Sequence, residues 1–391
     1  MPDNQRSAIY LDNAATSWPK PDCVASAVRN HVLNYSANPG RAAHRMAANA
    51  SRVVFDTREA LGRLLGVSDS RNIILNANAT MGLNLVIHGL LKPGDHVVTT
   101  SMEHNSVMRP LRWQTEHGGV SVTMVKSDRL GRTTPEQVKA AVTDRTKLVI
   151  VNNASNVIGT IAPIAGIKSA IGEIPLLVDA AQTAGVLSIN VEEDAIDMLA
   201  CTGHKGLLGP QGTGCIYISP SVSERIKPLM QGGTGSNSES DEIPSGMPDR
   251  FESGTLNGTG IAGLGAAVSY ILDRGVDAIR EHELALADRL LAGLGGIPGL
   301  TEYGPEDPRE RTGTFSVNIE GLTPSEIGFE LDRKYNIAVR IGLHCAPEAH
   351  RSIGTFPQGT VRIGLSALTS MDEVDAVVIA LGEIAGRKTS G

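Results

Sequence analysis

A lysine among glycines is the most distinctive chemical feature of this 391-residue chain. Lys205 lies in the segment 202–206 (TGHKG), directly after the apolar run 196–201. An amine at the end of a strand, flanked by glycines, can be approached closely by a ligand and is well placed to bond to it covalently. A solvated loop lysine is the alternative interpretation. The glycines through Gly214 match neither a dinucleotide fingerprint nor a P-loop, so this is not a nucleotide motif.

An acidic residue ends another apolar run, 176–178 (LLV). Asp179 would lie at the carboxyl end of a buried strand, where ligands of open α/β sheets bind. Capping of a following helix is the alternative. An acid and a lysine at the carboxyl ends of two strands suggest pyridoxal phosphate (PLP). The lysine would form a Schiff base with it, and the acid would keep the pyridine nitrogen protonated so that the ring accepts electrons.

A cradle for the PLP phosphate is predicted at the start of a helix. The segment 78–82 (NATMG) lies between the apolar run 73–75 and a helical pattern. The first backbone N–H groups of that helix and the Thr80 hydroxyl could bind a phosphate. An N-cap role for Asn78 or Thr80 explains the same residues equally well.

Two more polar residues follow predicted strands. His104, in the segment 103–105 (EHN), could stack on the cofactor ring and move protons, or be an ordinary loop histidine. Asn156, in the segment 154–160 (ASNVIGT), could hydrogen-bond the ring oxygen or a substrate carboxylate, or belong to a turn. Both residues are therefore candidates for the same site.

One of the four cysteines has a reactive context. Cys345 stands in the polar loop 340–347 (RIGLHCAP), where a neighbouring histidine and arginine favour the nucleophilic thiolate. A lone structural cysteine is the alternative. Zinc binding by His344 and Cys345 is a weak interpretation, because no second ligand pair has a suitable spacing. The other cysteines are predicted to be packing residues: Cys23, Cys201 and Cys215.

The elements that must position these residues follow an α/β pattern between about residues 50 and 220. Short apolar runs alternate with helical periodicity, which is typical of βα units that build a mostly parallel sheet. The predicted strands are 72–75, 96–100, 148–151, 176–178, 198–201 and 215–218. The predicted helices are 51–65, 80–91 and 134–142.

A smaller α+β unit is predicted after the irregular stretch 231–260, whose Gly, Ser and acidic residues indicate a functional or mobile loop. Its helices are 260–272, 276–294, 324–335 and 371–384, and its strands are 314–319, 337–340 and 360–364. The loop 342–357 holds Cys345. Arg362, in the last strand, could clamp a carboxylate with its forked guanidinium or be a solubilising charge on an edge strand.

Composition narrows the classes of function. With 41% hydrophobic and 20% charged residues, the chain should fold throughout, as about two domains. Only 3% aromatic residues and a net charge of −7 without a basic run argue against a nucleic-acid partner. We predict reduced thiols, because the cysteines form no CxxC pair. We predict a cytosolic protein, because the N-terminus has no apolar segment of the kind found in secretory signals. No stretch is a credible membrane span, so no membrane partner is expected.

Taken in order, these segments resemble class V aminotransferases among the fold-type I PLP enzymes. They are most similar to cysteine desulfurases of the group that includes SufS-type enzymes and selenocysteine lyases. The resemblance extends from 11–16 (LDNAAT) to the last helix, and its most specific parts are 202–205 (TGHK) and 340–347. The chain departs from many relatives, which often have other residues at three positions: Asn105, Leu256 and Leu343.

The resemblance implies a homodimeric PLP enzyme of two domains. Residues 20–255 would form a large PLP-binding domain around a mostly parallel seven-stranded sheet. Residues 1–19 and 256–391 would form a small α+β domain that carries the cysteine loop. The substrate would be L-cysteine or a related sulfur or selenium amino acid. The implied role is sulfur transfer to an acceptor protein, as in iron–sulfur cluster assembly.

The resemblance also assigns roles to single residues. Lys205 would be the Schiff-base lysine, Asp179 would bind the pyridine nitrogen, and Gln182 would bind the ring oxygen. His104 would stack over the ring and take part in catalysis. Further cofactor contacts would come from Ala79, Thr80, Asn156, Thr202, His204 and, from the partner subunit of the dimer, Thr255. The substrate would be bound by Ala15, Asn156, Arg340 and Arg362.

Cys345 would attack the substrate sulfur, leaving an enzyme persulfide and releasing alanine. The short loop from Arg340 to Cys345 places the thiol close to the cofactor, which implies a dedicated sulfur acceptor. A selenocysteine lyase or another β-C–S lyase is one alternative, in which Cys345 acts as an acid or assists selenium release. A PLP-binding scaffold without turnover is another, against which the presence of both Lys205 and Cys345 argues.

Overall fold

The computed structural model describes residues 8–39, 44–236 and 239–388. The ends of the predicted small domain, 1–7 and 389–391, and residues 237–238 of the predicted loop lie outside the described residues. The strands are β1 (Ile9–Tyr10), β2 (Ile73–Asn76), β3 (His96–Thr100), β4 (Ser121–Val125), β5 (Thr146–Asn152), β6 (Leu176–Asp179), β7 (Met198–Thr202), β8 (Gly214–Ile218), β9 (Leu300–Tyr303), β10 (Thr314–Ile319), β11 (Ile337–Ala338), β12 (Arg340–Gly342) and β13 (Thr360–Gly364). The helices are α1 (Asp22–Asn34), α2 (Arg45–Leu65), α3 (Ala79–Leu90), α4 (Asn105–His117), α5 (Pro135–Ala140), α6 (Ile164–Ile171), α7 (Pro220–Ser223), α8 (Gly258–Arg274), α9 (Val276–Leu294), α10 (Pro324–Tyr335), α11 (Pro347–Ile353) and α12 (Met371–Lys388). None of the helices within these ranges combines the length and the apolar character that a membrane span requires.

Seven strands form the central sheet, in the order β2-β8-β7-β6-β5-β3-β4. All neighbours are parallel except β8, which runs antiparallel to both β2 and β7. The predicted mostly parallel seven-stranded sheet is therefore confirmed. Side chains of β6 and β7 are buried on both faces, which explains their continuous apolar sequences. The sequence pattern misses β4, because this edge strand is mostly half-exposed and has no continuous apolar run.

Helices cover both faces of this sheet. On one face, α3 and α4 pack through aliphatic residues such as Leu83 and Leu111. On the other face, α2, α6 and α8 pack through Leu61, Ile167 and Leu264. With both faces covered, a ligand can reach the sheet at its edge, where the carboxyl ends of β3, β5, β6 and β7 lie together.

Four antiparallel strands, in the order β12-β13-β10-β9, form a second sheet. The helices α9, α10 and α12 pack on it around a separate aliphatic cluster. A parallel pair, β1 and β11, brings the N-terminal segment back to this part of the chain. The expected small α+β unit is thus confirmed. The boundaries at residues 19 and 255 stay predictions, and α8 packs on α1 and α2 while α9 packs on α12.

Three local predictions are wrong. The predicted strand 337–340 consists of two strands, β11 and β12, which belong to different sheets. The predicted loop 342–357 contains the helix α11, whose first residue, Pro347, is a helix-start signal in the sequence. Cys23 is exposed on α1 and is not a packing residue. The other two predicted packing cysteines are buried as expected, Cys201 and Cys215.

Candidate active site

Polar residues from both parts of the fold surround one cavity of about 230 Å³ at the carboxyl edge of the central sheet. The cavity brings together every predicted site residue except Thr255. Its predicted lining residues are Ala15, Ala79, Thr80, His104, Asn156, Asp179, Gln182, Thr202, His204, Lys205, Arg340, Cys345 and Arg362.

Lys205 lines the cavity from the turn that follows β7. The pKa of its amine is lowered to about 8, chiefly by burial and also by the positive charges of Arg362 and Arg340, while the negative charge of Asp179 opposes this shift. The turn is tight at Gly206, where a Cβ atom would lie 2.7 Å from the Ala184 carbonyl oxygen. Lys205 is therefore not a solvated surface lysine, and its lowered pKa suits a nucleophile or proton acceptor.

Asp179 ends β6 and is almost completely buried. Burial raises the pKa of its carboxyl group, while the Ala181 N–H and the charge of Lys205 oppose that rise. Its Oδ1 accepts a hydrogen bond of 3.0 Å from Ala181 N. This bond stabilises a turn, and no helix directly follows β6, so the helix-capping alternative for Asp179 is wrong.

Glu103 is a buried acid to which the sequence analysis gives no role. Its Oε1 accepts from Thr100 Oγ1 at 2.7 Å and from Asn152 N at 3.0 Å. Its Oε2 is buried without a partner in the described part of the chain. Burial raises the pKa of Glu103 to about 8, and the nearby charge of Asp179 raises it too. The one available signal is an acid two residues before a helix and three after a buried strand.

His104 is the N-cap residue of α4, and its Nδ1 accepts from Ser106 N at 3.1 Å. Burial lowers the pKa of His104 to about 4, and the charge of Lys205 adds to this. The ring is neutral at pH 7, and the acceptor role of Nδ1 assigns its proton to Nε2. His104 therefore presents a hydrogen-bond donor to its surroundings and is not a cation.

The start of α3 and the end of β7 together form an anion cradle. Asn78 is the N-cap, since its Oδ1 accepts from Met81 N at 3.0 Å, and Thr80 is left exposed in the first turn. Across the described residues, Thr202 Oγ1 and His204 Nδ1 are buried without a partner. A helix N-terminus beside such unpaired polar atoms fits a phosphate group.

Arg362 lies in β13, an inner strand of the second sheet, and is 1% exposed. The edge-strand alternative is therefore wrong. Its Nη1 donates to Asn156 O at 3.0 Å, and its Nη2 donates to Asp12 Oδ1 at 2.7 Å. Arg340 lies directly opposite Arg362 on β12. The two guanidinium groups give this wall of the cavity a positive charge that suits a carboxylate ligand.

Cys345 is exposed at the cavity, on a turn with unusual backbone geometry. The φ angles of His344 and Cys345 are +48° and +59°, a left-handed conformation that costs about 1–2 kcal/mol for each non-glycine residue. The side-chain Nδ2 of Asn156 donates to His344 O at 2.7 Å, and Asn105 N donates to Cys345 O at 2.8 Å. The Cys345 Sγ lies 4.0 Å from Arg340 Nη2.

The N-terminal segment closes one side of the cavity. Gln182 Nε2 donates to Ala14 O at 3.0 Å, which holds Ala14 and Ala15 against the central sheet. Thr16 Oγ1 and Ser17 N both donate to His204 O. The segment is thereby fixed to the lysine turn.

Thr255 lies outside this site, at a separate cavity of about 540 Å³. The segment that carries it is anchored by Glu252, whose carboxylate pairs with Arg58 at 2.6 Å and accepts from Leu75 N at 2.6 Å. A single chain therefore does not bring Thr255 to the other predicted site residues.

Comparison with known proteins agrees with this arrangement. Residues 9–377 match the family model described as aminotransferase class-V. A probable cysteine desulfurase of Methanothermobacter thermautotrophicus is 35% identical, over 97% of this chain and 96% of that protein. The apo structure of a cysteine desulfurase from Thermococcus onnurineus superposes with a TM-score of 0.91 at 31% identity, covering 97% of this chain and 95% of that one. A cysteine desulfurase structure from Escherichia coli gives a TM-score of 0.85 at 26% identity, covering 99% of this chain and 96% of that one. The chain belongs to the class-V aminotransferase family.

Proposed function

We propose that this protein is a PLP-dependent cysteine desulfurase. It would convert L-cysteine to L-alanine and keep the sulfur as a persulfide on Cys345. The observation that carries the proposal is that an exposed thiol, Cys345, and a buried amine of lowered pKa, Lys205, line one cavity. The names of the similar proteins support the same activity.

The residues around the cavity fit PLP. Lys205 would hold the cofactor covalently, and Asp179 would pair with its ring nitrogen. The unpartnered Thr202 Oγ1 and His204 Nδ1, with the N–H groups at the start of α3, would bind its phosphate. When bound, PLP supplies an electron sink that stabilises negative charge at the substrate Cα.

The chain's own residues would carry out binding and proton transfer. Arg362 and Arg340 bind the substrate carboxylate with charge-assisted hydrogen bonds. When its amine is free, Lys205 would accept the proton from Cα, because the lowered pKa leaves part of the amine unprotonated near neutral pH. The neutral His104 ring would offer its Nε2–H as a hydrogen-bond donor to a bound group without adding a positive charge.

Cys345 would take the sulfur. Its thiolate attacks the substrate sulfur, so an S–S bond forms and the Cβ–S bond breaks. The electron pair of the broken bond stays with the carbon skeleton, and Cβ gains a proton. In sum, L-cysteine and the Cys345 thiol give L-alanine and the Cys345 persulfide, which balances atoms and electrons. An external acceptor then removes the sulfur.

We further propose a homodimer in a reducing, cytoplasmic compartment. In the dimer, Thr255 would reach the phosphate site of the partner subunit. Leu33 and Phe55, on α1 and α2, are 65% and 52% exposed, which favours burial against a second copy. All four cysteines are free thiols, as persulfide chemistry requires of Cys345.

The test follows sulfur on Cys345. The PLP-loaded protein is incubated with L-cysteine, alanine is measured, and the Cys345 peptide is analysed by mass spectrometry without reductant. We expect alanine release and a mass gain of one sulfur atom, both lost in Cys345→Ala. Full activity of Cys345→Ala on cysteine would overturn the proposal. A parallel incubation with selenocysteine separates a desulfurase from a selenocysteine lyase.

A further inference from the structure

We infer that Asn105 and Asn156 are positioning residues for the Cys345 thiol, Asn105 through its backbone N–H and Asn156 through its side-chain amide. This inference rests on the proposed function, because it concerns the thiol that would take the sulfur. It assigns Asn156 a second contact, distinct from the cofactor or substrate contact that the resemblance implies. It also gives Asn105 a role that does not depend on its side chain.

The turn at Cys345 needs outside support. Among the described non-glycine residues with positive φ, His344 and Cys345 are the only two that are consecutive. Such a conformation persists where the surrounding structure over-determines it. Inside the turn, Ala346 N donates to Leu343 O at 2.9 Å. One internal bond does not explain two adjacent left-handed residues.

The support comes from the other part of the fold. Asn156, after β5, and Asn105, at the start of α4, donate to the carbonyl oxygens of the two left-handed residues, at 2.7 and 2.8 Å. Each donor is matched to one strained residue. The central-sheet part of the molecule therefore holds the thiol-bearing turn at its two successive carbonyl groups.

The base of the turn is fixed by a buried hydroxyl chain. His344 Nε2 contacts Thr360 Oγ1 at 3.1 Å, and Thr360 Oγ1 contacts Ser316 Oγ at 2.8 Å. Ser316 Oγ donates to Val157 O at 2.7 Å, next to Asn156. Loss of the hydrogen bond from Asn105 or from Asn156 should therefore leave this hydroxyl chain in place. It should change the direction of the Cys345 side chain.

Asn105 offers a clean way to remove one donor. It is the first residue of α4, where proline is well tolerated, and the extended backbone of His104 suits a residue before proline. Asn105→Pro therefore removes the N–H bond to Cys345 O with little other change. Asn105→Ala keeps the N–H and serves as the matched control.

Backbone order of the turn is measured first, in the full chain without substrate. We expect amide exchange in a peptide covering residues 343–346 to be about tenfold faster in Asn105→Pro than in Asn105→Ala. Sulfur uptake by Cys345 in the PLP-loaded protein should fall about 10- to 100-fold, since a small misplacement of a reacting group has that effect. Alkylation of Cys345 by iodoacetamide should not fall, with the exposed Cys23 as internal standard.

Asn156→Asp tests the second donor, because a carboxylate of the same shape cannot donate to His344 O. Ser155→Ala is its control, because Ser155 Oγ accepts from the loop N–H groups of Val157 and Ile158 and the variant keeps the Asn156 amide. We expect faster exchange at 343–346 in Asn156→Asp than in Ser155→Ala.

Unchanged exchange in both Asn105→Pro and Asn156→Asp overturns the inference. So does a fall in alkylation that matches the fall in sulfur uptake, because the thiol would then be lost and not misdirected. If the wild-type protein takes up no sulfur, the proposed function fails, while the exchange measurement still decides whether these donors hold the turn.

Discussion

The two sides of the cavity are built by different means. Asp179 ends β6, and Lys205 lies in the tight turn that directly follows β7. Both are inner strands of the central sheet, held by ladders of hydrogen bonds on both sides. Cys345 stands on an exposed turn after the three-residue strand β12, held by single hydrogen bonds from other elements. A group that must keep a cofactor in place gains from a rigid sheet edge. A group that must take up sulfur and release it needs exposure, which a turn provides.

The electrostatic character of the two sides differs as well. On the sheet side, burial is the main cause that lowers the pKa of Lys205 to about 8 and that of His104 to about 4. Lys205 can therefore gain or lose a proton near neutral pH, whereas His104 stays neutral. On the turn side, Arg362 is buried but paired with Asp12, and Arg340 lies beside it. The sheet side is thus suited to proton transfer, and the turn side to binding an anion.

Removal of the lysine should separate the two sides most strongly. In Lys205→Ala, we expect alanine release to fall by about 10³-fold or more, because the covalent link to the cofactor and the proton acceptor are both lost. Alkylation of Cys345 by iodoacetamide should stay at the wild-type rate. Borohydride reduction of the PLP-loaded protein, followed by peptide mapping, should label Lys205 in the wild type only.

Lys126→Ala, which changes an exposed lysine, is the control for loss of a positive charge. A labelled peptide other than that of Lys205, or alanine release within tenfold of wild type, would contradict the assignment of the sheet side. A parallel loss of Cys345 alkylation would instead show that the two sides do not act separately.

A smaller effect is expected where the two sides meet. Arg362 lies on the turn side, yet its Nη1 donates to Asn156 O on the sheet side. Lysine keeps the charge but cannot reproduce the forked contacts to Asn156 O and Asp12. For Arg362→Lys we expect the KM for cysteine to rise about 10- to 100-fold and the free energy of unfolding to fall by about 1–3 kcal/mol.

Steady-state kinetics and denaturant unfolding measure both quantities. Arg333→Lys, at an exposed position, is the matched control. If Arg362→Lys loses stability but keeps its KM, Arg362 only joins the two sides and does not bind the carboxylate.

The sheet side could be predicted from sequence to a large degree, and the turn side much less. Apolar runs followed by a polar residue locate Asp179 and Lys205, because the carboxyl ends of parallel strands share one edge. The inner position of β13 depends on pairing with β10 and β12, which no local pattern encodes. The bond from Asn156 to His344 joins residues 188 positions apart. Sequence alone therefore points to Cys345 and Arg362 but not to what holds them.

Glu103 shows the same limit on the sheet side. Its position in the sequence is that of a loop acid, whereas in the fold it is fully buried and accepts a hydrogen bond from the backbone N–H of Asn152, at the end of β5. Only the three-dimensional arrangement of β3 and β5 turns it into a neutral buried acid at pH 7.

The last prediction concerns the stability contributed by this acid and needs no bound ligand. The pKa of Glu103 is about 8 in the folded chain and about 4.3 when unfolded. Between these values the folded state keeps a proton that the unfolded state loses. The contribution of Glu103 to stability is therefore complete below about pH 4 and declines as pH rises, by about 1 kcal/mol per pH unit, until about pH 8.

Glu103→Gln should remove this decline. The glutamine oxygen can accept from Thr100 Oγ1 and Asn152 N as the acid does, so both proteins should have similar unfolding free energies near pH 5. Near pH 8 the variant should be the more stable by a few kcal/mol, measured by urea unfolding of the cofactor-free chain. Glu320→Gln, at an exposed position, corrects for the change in net charge. A difference between wild type and Glu103→Gln that does not change with pH would mean that Glu103 is ionised in the folded state. The sheet side would then hold a buried negative charge next to Asp179, and its contrast with the anion-binding turn side would be sharper than proposed.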